Sequence, residues 1–198
     1  MLKPGRMQEV AEKILQTDLQ VVALQEIRWK GKGQIKKDKY NLYYSCKEDQ
    51  TGHLGTGFIV KKEITKNVMG FEPINERICK IRLKGKYHNT TLINIHVPKE
   101  EKDDVKEQFY AELQQVQEKV PKHDLLIILG DCNAKIGREK AYQKVTIKHT
   151  LHDTTNGNGE LVCEYATVND MVVASTFFQH KKIHKGTWIS PDNLTQPN

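Results

Sequence analysis

Three apolar runs in this sequence end in polar residues of the kinds that bind cations, move protons or polarise phosphate. In the run Val21-Val-Ala-Leu-Gln25-Glu26-Ile27-Arg28-Trp29, a carboxylate stands at the mouth of a buried strand. There Glu26 can ligate a hard cation such as Mg²⁺, or simply pair with Arg28 or a nearby lysine. In Leu92-Ile-Asn-Ile-His96-Val-Pro98, His96 interrupts an alternating strand just before a proline, where the strand leaves its sheet. An imidazole there either hydrogen-bonds within a β edge or works on a phosphate, since histidine titrates near neutral pH. In Leu125-Leu-Ile-Ile-Leu-Gly130-Asp131-Cys132-Asn133, five apolar residues and a glycine deliver Asp131 and Asn133 two apart. That pair can bind a metal, orient a water and hydrogen-bond an oxyanion, or form an Asx-turn that caps the next segment.

The elements that must position these residues follow from periodicity. A helix is expected over residues 7–19, with Val10, Ile14 and Leu15 on one face, and a buried strand after it. Residues 31–39 are basic and broken by glycine, and read as a loop. Residues 40–46 and 55–60 read as strands, and 77–83 with 90–97 as an antiparallel pair joined at Lys84-Gly85-Lys86. Residues 103–120 read as a helix stopped by Pro121, and 124–130 as a buried strand. A helix over 160–170 and a strand over 171–177 complete the series. Helices alternating with strands give an α/β or α+β class, with sheets under helices.

The 198 residues suit a single domain over 1–198. With 37% hydrophobic and 28% charged residues the chain is neither a disordered tail nor a membrane protein. Its longest apolar run, 125–129, is far short of the ~20 residues that cross a bilayer. No apolar stretch follows the first six residues, so no signal peptide is expected and an intracellular location is. Four scattered cysteines form no Cys-x-x-Cys pair, and the His149/His152 and His180/His184 pairs lack ligand company, which argues against zinc. The net charge is +6, and the basic stretches 30–37, 61–62 and 180–185 suit a polyanion.

Leu24-Gln-Glu-Ile-Arg-Trp29, Ile95-His-Val-Pro98, Gly130-Asp-Cys-Asn133 and Gly186-Thr-Trp-Ile-Ser-Pro191 occur in that order. Together they resemble the endonuclease/exonuclease/phosphatase superfamily, which includes DNase I and the apurinic/apyrimidinic endonucleases. Asn156-Gly-Asn-Gly-Glu160, Asn169-Asp-Met-Val-Val173 and Thr176-Phe-Phe178 narrow the resemblance. They point to the endonuclease domain of non-LTR retrotransposons and the related craniofacial development protein 2-like sequences. The resemblance implies a four-layered α/β sandwich of two mixed sheets flanked by helices, with the three strand ends converging on one cleft. It implies a metal-binding role for Glu26, a place near the scissile phosphate for His96, and water activation by Asp131. Asn133 would serve on the phosphate or metal side, so that Glu26, Asp131 and Asn133 form the metal set and His96, Asp131 and Asn133 the catalytic set. Arg77, Trp188 and Ser190 are the implied substrate contacts.

The resemblance further implies Mg²⁺ as cofactor, with Mn²⁺ as a substitute, no organic cofactor, DNA as partner and a nuclear location. Oligomeric state is left open. Against the family pattern, a first strand before residue 2 and the strands beyond Asn198 have no counterpart, so the chain is expected to lack terminal strands and to be impaired as a nuclease. Three functions compete: a Mg²⁺-dependent DNA endonuclease of retroelement origin, a catalytically inactive nucleic-acid- or protein-binding remnant, and a phosphodiesterase acting on inositol lipids or sphingomyelin. The basic surface argues against the third.

Overall fold

Alternating apolar and polar residues build two four-stranded sheets and the helices that cover them. The computed structural model describes residues 5–49, 54–99, 102–147 and 149–179. The chain divides into two compact units, Met1–Val97 with Glu107–Asp131, and Pro98–Lys106 with Cys132–Asn198.

In the first unit, helix α1 (Arg6–Leu15) leads into strands β1 (Val21–Leu24), β2 (Lys32–Lys36), β3 (Tyr40–Ser45) and β4 (Thr56–Lys61). These form an antiparallel sheet in the order β1-β4-β3-β2. The second sheet has the order β5-β6-β7-β8, from β5 (Val68–Pro73), β6 (Ile78–Leu83), β7 (Thr90–His96) and β8 (Leu125–Asp131). Strands β5 to β7 are antiparallel, and β8 runs parallel to β7. A parallel return needs a crossover, and helix α2 (Asp103–Glu118) supplies it.

Period-two side chains sort the layers. Val21, Ala23, Tyr43, Phe58 and Val60 of the first sheet meet Cys79, Ile81, Leu92 and Leu129 of the second. On the other face of the first sheet, Leu24, Leu42 and Ile59 receive Met7, Val10, Ala11 and Ile14, which share one face of α1 by their i, i+3, i+4, i+7 spacing. The α2 residues from Glu107 onward lie along the outer face of the second sheet, where Val116 and Lys80 line one groove and Asn75 donates to Glu112 at 2.8 Å. Helix, sheet, sheet, helix: the α/β class and the layered pattern expected from the sequence are present.

In the second unit, helix α3 (Gly157–Val168) is capped by Asn156, whose Oδ1 accepts from the Gly159 amide at 2.8 Å. Cys163 and Ala166 pack there against Val145, with Ile136, Tyr142, Met171 and Val173 around them.

The structure corrects several element readings. Residues 32–36, read as part of a loop, are the edge strand β2, because Ile35 pairs with Leu42 and packs into the cluster under α1. Residues 171–177, read as a strand, form no sheet; their end is a 3₁₀ turn at Ala174–Phe177, closed by Thr176 Oγ1 donating to Val173 O. The first helix stops at Leu15, where Thr17 Oγ1 donates to Ile14 O at 2.7 Å. Strand β5 was not expected at all, since Gly70 and Pro73 disguise it and its register shifts between Val68 and Gly70.

Candidate active site

His96 is the last residue of β7 and stands in register with Asp131, the last residue of the parallel β8. Both side chains follow the parity of Leu92 and Leu129, so both turn to the face that meets the first sheet. Gly130 makes this possible: at φ 140°, a Cβ there would lie 2.0 Å from Ile95 O. Only glycine lets β8 approach β7 so closely beside the carboxylate. Beyond the strand ends, the Val97 amide donates to Asp131 O at 2.9 Å, which continues the pairing by one step.

Arg77 reaches this edge from the turn before β6. Asn75 Oδ1 accepts from the amides of Arg77 and Ile78, both at 2.8 Å, and this Asx-type turn sets the direction of the arginine. The Arg77 carbonyl accepts from the His96 amide at 2.9 Å, and its Nη1 donates back to His96 O at 3.3 Å.

Glu26 arrives from the first sheet. After β1 the chain turns sharply, with φ 53° at Glu26 and φ 63° at Arg28. Between them Ile27 is fully buried, its amide donating to Gly55 O at 3.1 Å, while the Arg28 amide donates to Leu54 O at 2.7 Å. With Ile27 pointing in, Glu26 and Arg28 point out, and Arg28 Nη2 sits 2.6 Å from Glu26 Oε2. The pairing that the sequence left open for Glu26 is therefore made. Trp29 packs edge-on against Tyr44 at 5.4 Å, as part of the cluster under α1.

These groups bear on one imidazole. Burial pushes the His96 pKa below its ordinary value; Asp131 and Glu26 pull it upward and Arg77 adds to the lowering. Its Nδ1 is buried and has no hydrogen-bond partner among the described residues. Leaving such an atom unpaired costs about 1–3 kcal/mol, so a ligand atom that pairs with it binds favourably. The thiol of Cys79, below this edge, is no nucleophile, since burial pushes it up to about 12 despite Thr56 and Asn94 beside it.

A divalent cation can be tested against this donor set. Glu26 and Asp131 offer hard carboxylate oxygens, the chemistry that Mg²⁺ and Mn²⁺ prefer. Among the described residues no group of three or more His, Cys, Asp and Glu side chains converges to hold an ion. Mg²⁺ ordinarily keeps several waters and takes one or two carboxylates with substrate phosphate, so the two carboxylates fit it.

Sequence reasoning placed Glu26, Arg77, His96 and Asp131 in the site, and within the first unit the other three bear on His96. Asn133 belongs to the second unit, at φ 47°, where its carbonyl accepts from the buried Asn158 Nδ2 at 3.2 Å. Trp188 and Ser190 lie outside the described residues, as do His180 and His184. Asn94 and Gln25 were not singled out. The available signal was an asparagine on the buried parity of an apolar strand, two residues before His96.

Comparison with known proteins gives the family of the chain. A family model described as the Endonuclease/Exonuclease/phosphatase family matches residues 2–161. Craniofacial development protein 2 from Bos taurus is 30% identical over 193 residues, covering 96% of this chain and 32% of its own length. Exodeoxyribonuclease III from Haemophilus influenzae is 33% identical over 143 residues, covering 66% of this chain and 52% of its own. The chain thus spans about a third to a half of these relatives' length. In fold it is similar to the endonuclease domain of TRAS1, a telomere-specific non-LTR retrotransposon, with TM-score 0.53, 15% identity, and coverage of 84% of this chain and 65% of that one. Among the described residues no helix is long and apolar enough to cross a membrane.

Proposed function

Since the chain belongs to the endonuclease/exonuclease/phosphatase family, we propose that it hydrolyses phosphodiester bonds of DNA with Mg²⁺, as an endonuclease of retroelement origin. The observation that carries this reading is that His96 and Asp131 end β7 and β8 at one register position, where Arg77 is hydrogen-bonded to the His96 backbone at 2.9 and 3.3 Å. A cation, a proton acceptor and a phosphate-facing donor are what hydrolysis of a phosphodiester requires.

Glu26 and Asp131 would hold the Mg²⁺, and Mn²⁺ would suit the same oxygens. When bound, the cation neutralises charge that develops on the phosphate and the leaving alkoxide. Asp131 accepts the proton of the attacking water as the new P–O bond forms and the P–O bond to the leaving oxygen breaks. That oxygen takes its proton from solvent. His96, held toward its neutral form by burial, keeps one ring N–H to donate to a non-bridging phosphate oxygen. Arg77, oriented through Asn75, gives the phosphate a fixed positive charge and a planar donor. The family pattern alone assigns Asn133 to the metal or phosphate side and Trp188 and Ser190 to substrate contact. On this reading the protein acts in the nucleus.

The alternative, a nucleic-acid- or protein-binding domain without catalysis, is favoured by the Glu26–Arg28 pair, which occupies the would-be metal ligand. Nicking of supercoiled plasmid decides between them. Under the first reading nicking requires Mg²⁺, stops with chelator, and falls about 10²–10⁴-fold in Glu26→Ala or Asp131→Ala. Salt-sensitive DNA binding with no nicking establishes the second.

A further inference from the structure

The middle of β7 is apolar except at Asn94, which is fully buried on the face turned to the first sheet. Its Nδ2 donates to Leu24 O at 2.9 Å and to Gly57 O at 2.8 Å, and its Oδ1 accepts from Gln25 Nε2 at 2.6 Å. Two carbonyls can be met only by the NH₂ side of an amide, so the partners themselves orient the group. Leu24 ends β1 and lies opposite Gly57 of β4. Gly57 has no room for a side chain, because a Cβ would stand 2.2 Å from Tyr43 O. One amide of the second sheet therefore clasps the end of the strand pair that carries Glu26.

Other polar links between the sheets lie along the same edge but elsewhere. The Gly55 amide donates to Glu76 O at 3.1 Å and Ser45 Oγ donates to Asn75 O at 2.7 Å. They tie β3 and the entry to β4 against the β5–β6 turn, and they do not reach β1. The apolar layer between the sheets resists separation, but apolar contact is non-directional and does not oppose sliding. Hydrogen bonds are directional and do. Gln25, held by Asn94, and Ile27, held by Gly55 O, then clamp Glu26 from both sides.

We propose that Asn94 is a positioning residue: through Leu24, Gly57 and Gln25 it fixes the Glu26 carboxylate relative to His96, two residues along its own strand, and to Asp131. The proposal rests on the functional reading of those three residues given above. Its test must separate positioning from simple stability and from the failure of that reading.

The 198-residue chain and its Asn94→Ala, Gln25→Ala and doubly substituted variants are compared in plasmid nicking at saturating Mg²⁺ and in thermal melting. Val116→Ala, on the buried face of α2, serves as the stability control. The expected result is a loss in kcat of tenfold or more for each single variant, with KM within twofold, and no further loss in the double variant. The control melts earlier at wild-type kcat. A second readout needs no turnover: Mn²⁺ alone broadens the backbone amide signals of Glu26 and Asp131 together in the parent chain. In Asn94→Ala both signals need at least threefold more Mn²⁺, and the Glu26 signal broadens less than that of Asp131.

Wild-type kcat in a folded Asn94→Ala, or losses that multiply in the double variant, overturns the proposal. So does unchanged joint broadening. Where Asn94→Ala does not melt cooperatively, Gln25→Ala carries the same comparisons. A parent chain that does not nick refutes the nuclease reading, and the Mn²⁺ titration then decides the positioning by itself. A parent that neither nicks nor responds to Mn²⁺ overturns both.

Discussion

Arg28 and Glu26 form a 2.6 Å ion pair across a single fully buried residue, Ile27, and both adopt left-handed φ. Non-glycine residues in that region cost of order 1–3 kcal/mol each and persist where the surroundings over-determine them. Here the over-determination is visible in the amides of Ile27 and Arg28, which bond to Gly55 O and Leu54 O. The strain turns both side chains outward at the edge where His96 and Asp131 end their strands. The two side chains remain about half exposed, 45% for Arg28 and 55% for Glu26. A pair so exposed is worth only ~0.2–1 kcal/mol, which a divalent cation can displace.

Removing the arginine should therefore release the carboxylate for metal. Arg28→Ala is expected to lower the Mg²⁺ concentration for half-maximal nicking by up to about fivefold, in keeping with the loss of at most ~1 kcal/mol of competition. Melting should shift little. A metal titration in which the midpoint rises would show that Arg28 assists the cation instead.

The approach of β8 to β7 is set by Gly130, one residue before Asp131. Gly130→Ala places a Cβ 2.0 Å from Ile95 O at a φ that L-residues rarely adopt. The expected cost is about 3 kcal/mol or more, combining backbone strain and overpacking. A denaturant midpoint within error of the wild type would contradict this account of the strand end.

Acid should weaken the far end of the same sheet. Asp124, whose side chain is fully buried, accepts from Arg82 Nε and Nη2 at 2.7 and 2.9 Å and from Thr91 Oγ1 at 2.7 Å. The Arg82 hydrogen bonds hold its carboxyl below the ordinary carboxylate range, against the opposing effect of burial. A folded pKa lower than the unfolded one stabilises above the unfolded value, and that stability drains as pH falls through the folded value. Melting followed from pH 6 down through pH 3 should fall more steeply in the wild type than in Asp124→Asn. At pH 7 the variant should also be less stable, because Arg82 loses its charged partner.

The edge strand β2 exposes Lys32 and Lys36 on alternate positions. Charged residues on an edge strand discourage pairing with other chains, and they also suit a phosphate backbone. Replacing both with alanine should weaken DNA binding across sequences and reduce the slope of log K against log salt by ~1 per lysine. An unchanged slope would restrict these lysines to guarding the edge.

Much of the site was legible because its residues sit at punctuation. Pro98 after His96, Gly130 before Asp131 and the polar run after Leu24 mark strand exits locally, and local marks survive in a linear sequence. The pairing of residues 77–83 with 90–97 was legible for the same reason, as a short turn joins two alternating runs. Where local preference and tertiary pairing disagreed, reading failed. Lysine and glycine at 31–39 disfavour a strand, yet Ile35 gains a buried place beside Leu42 and the helix, and β2 forms. The apolar stretch 171–177 favours a strand, yet Met171 and Val173 pack on the α3 cluster instead.

By itself the sequence determined which residue types stand at the strand exits, because alternation, glycine and proline act within a few residues of the backbone they control. Only the tertiary structure decided that Glu26 turns outward onto Arg28, that His96 and Asp131 share a register position, and that Asn94 closes on carbonyls 70 and 37 residues away. Those are directional bonds between segments distant in the chain, and no local pattern encodes which carbonyl a buried amide will meet. The choice is made when the two sheets come face to face and most buried polar groups find a partner.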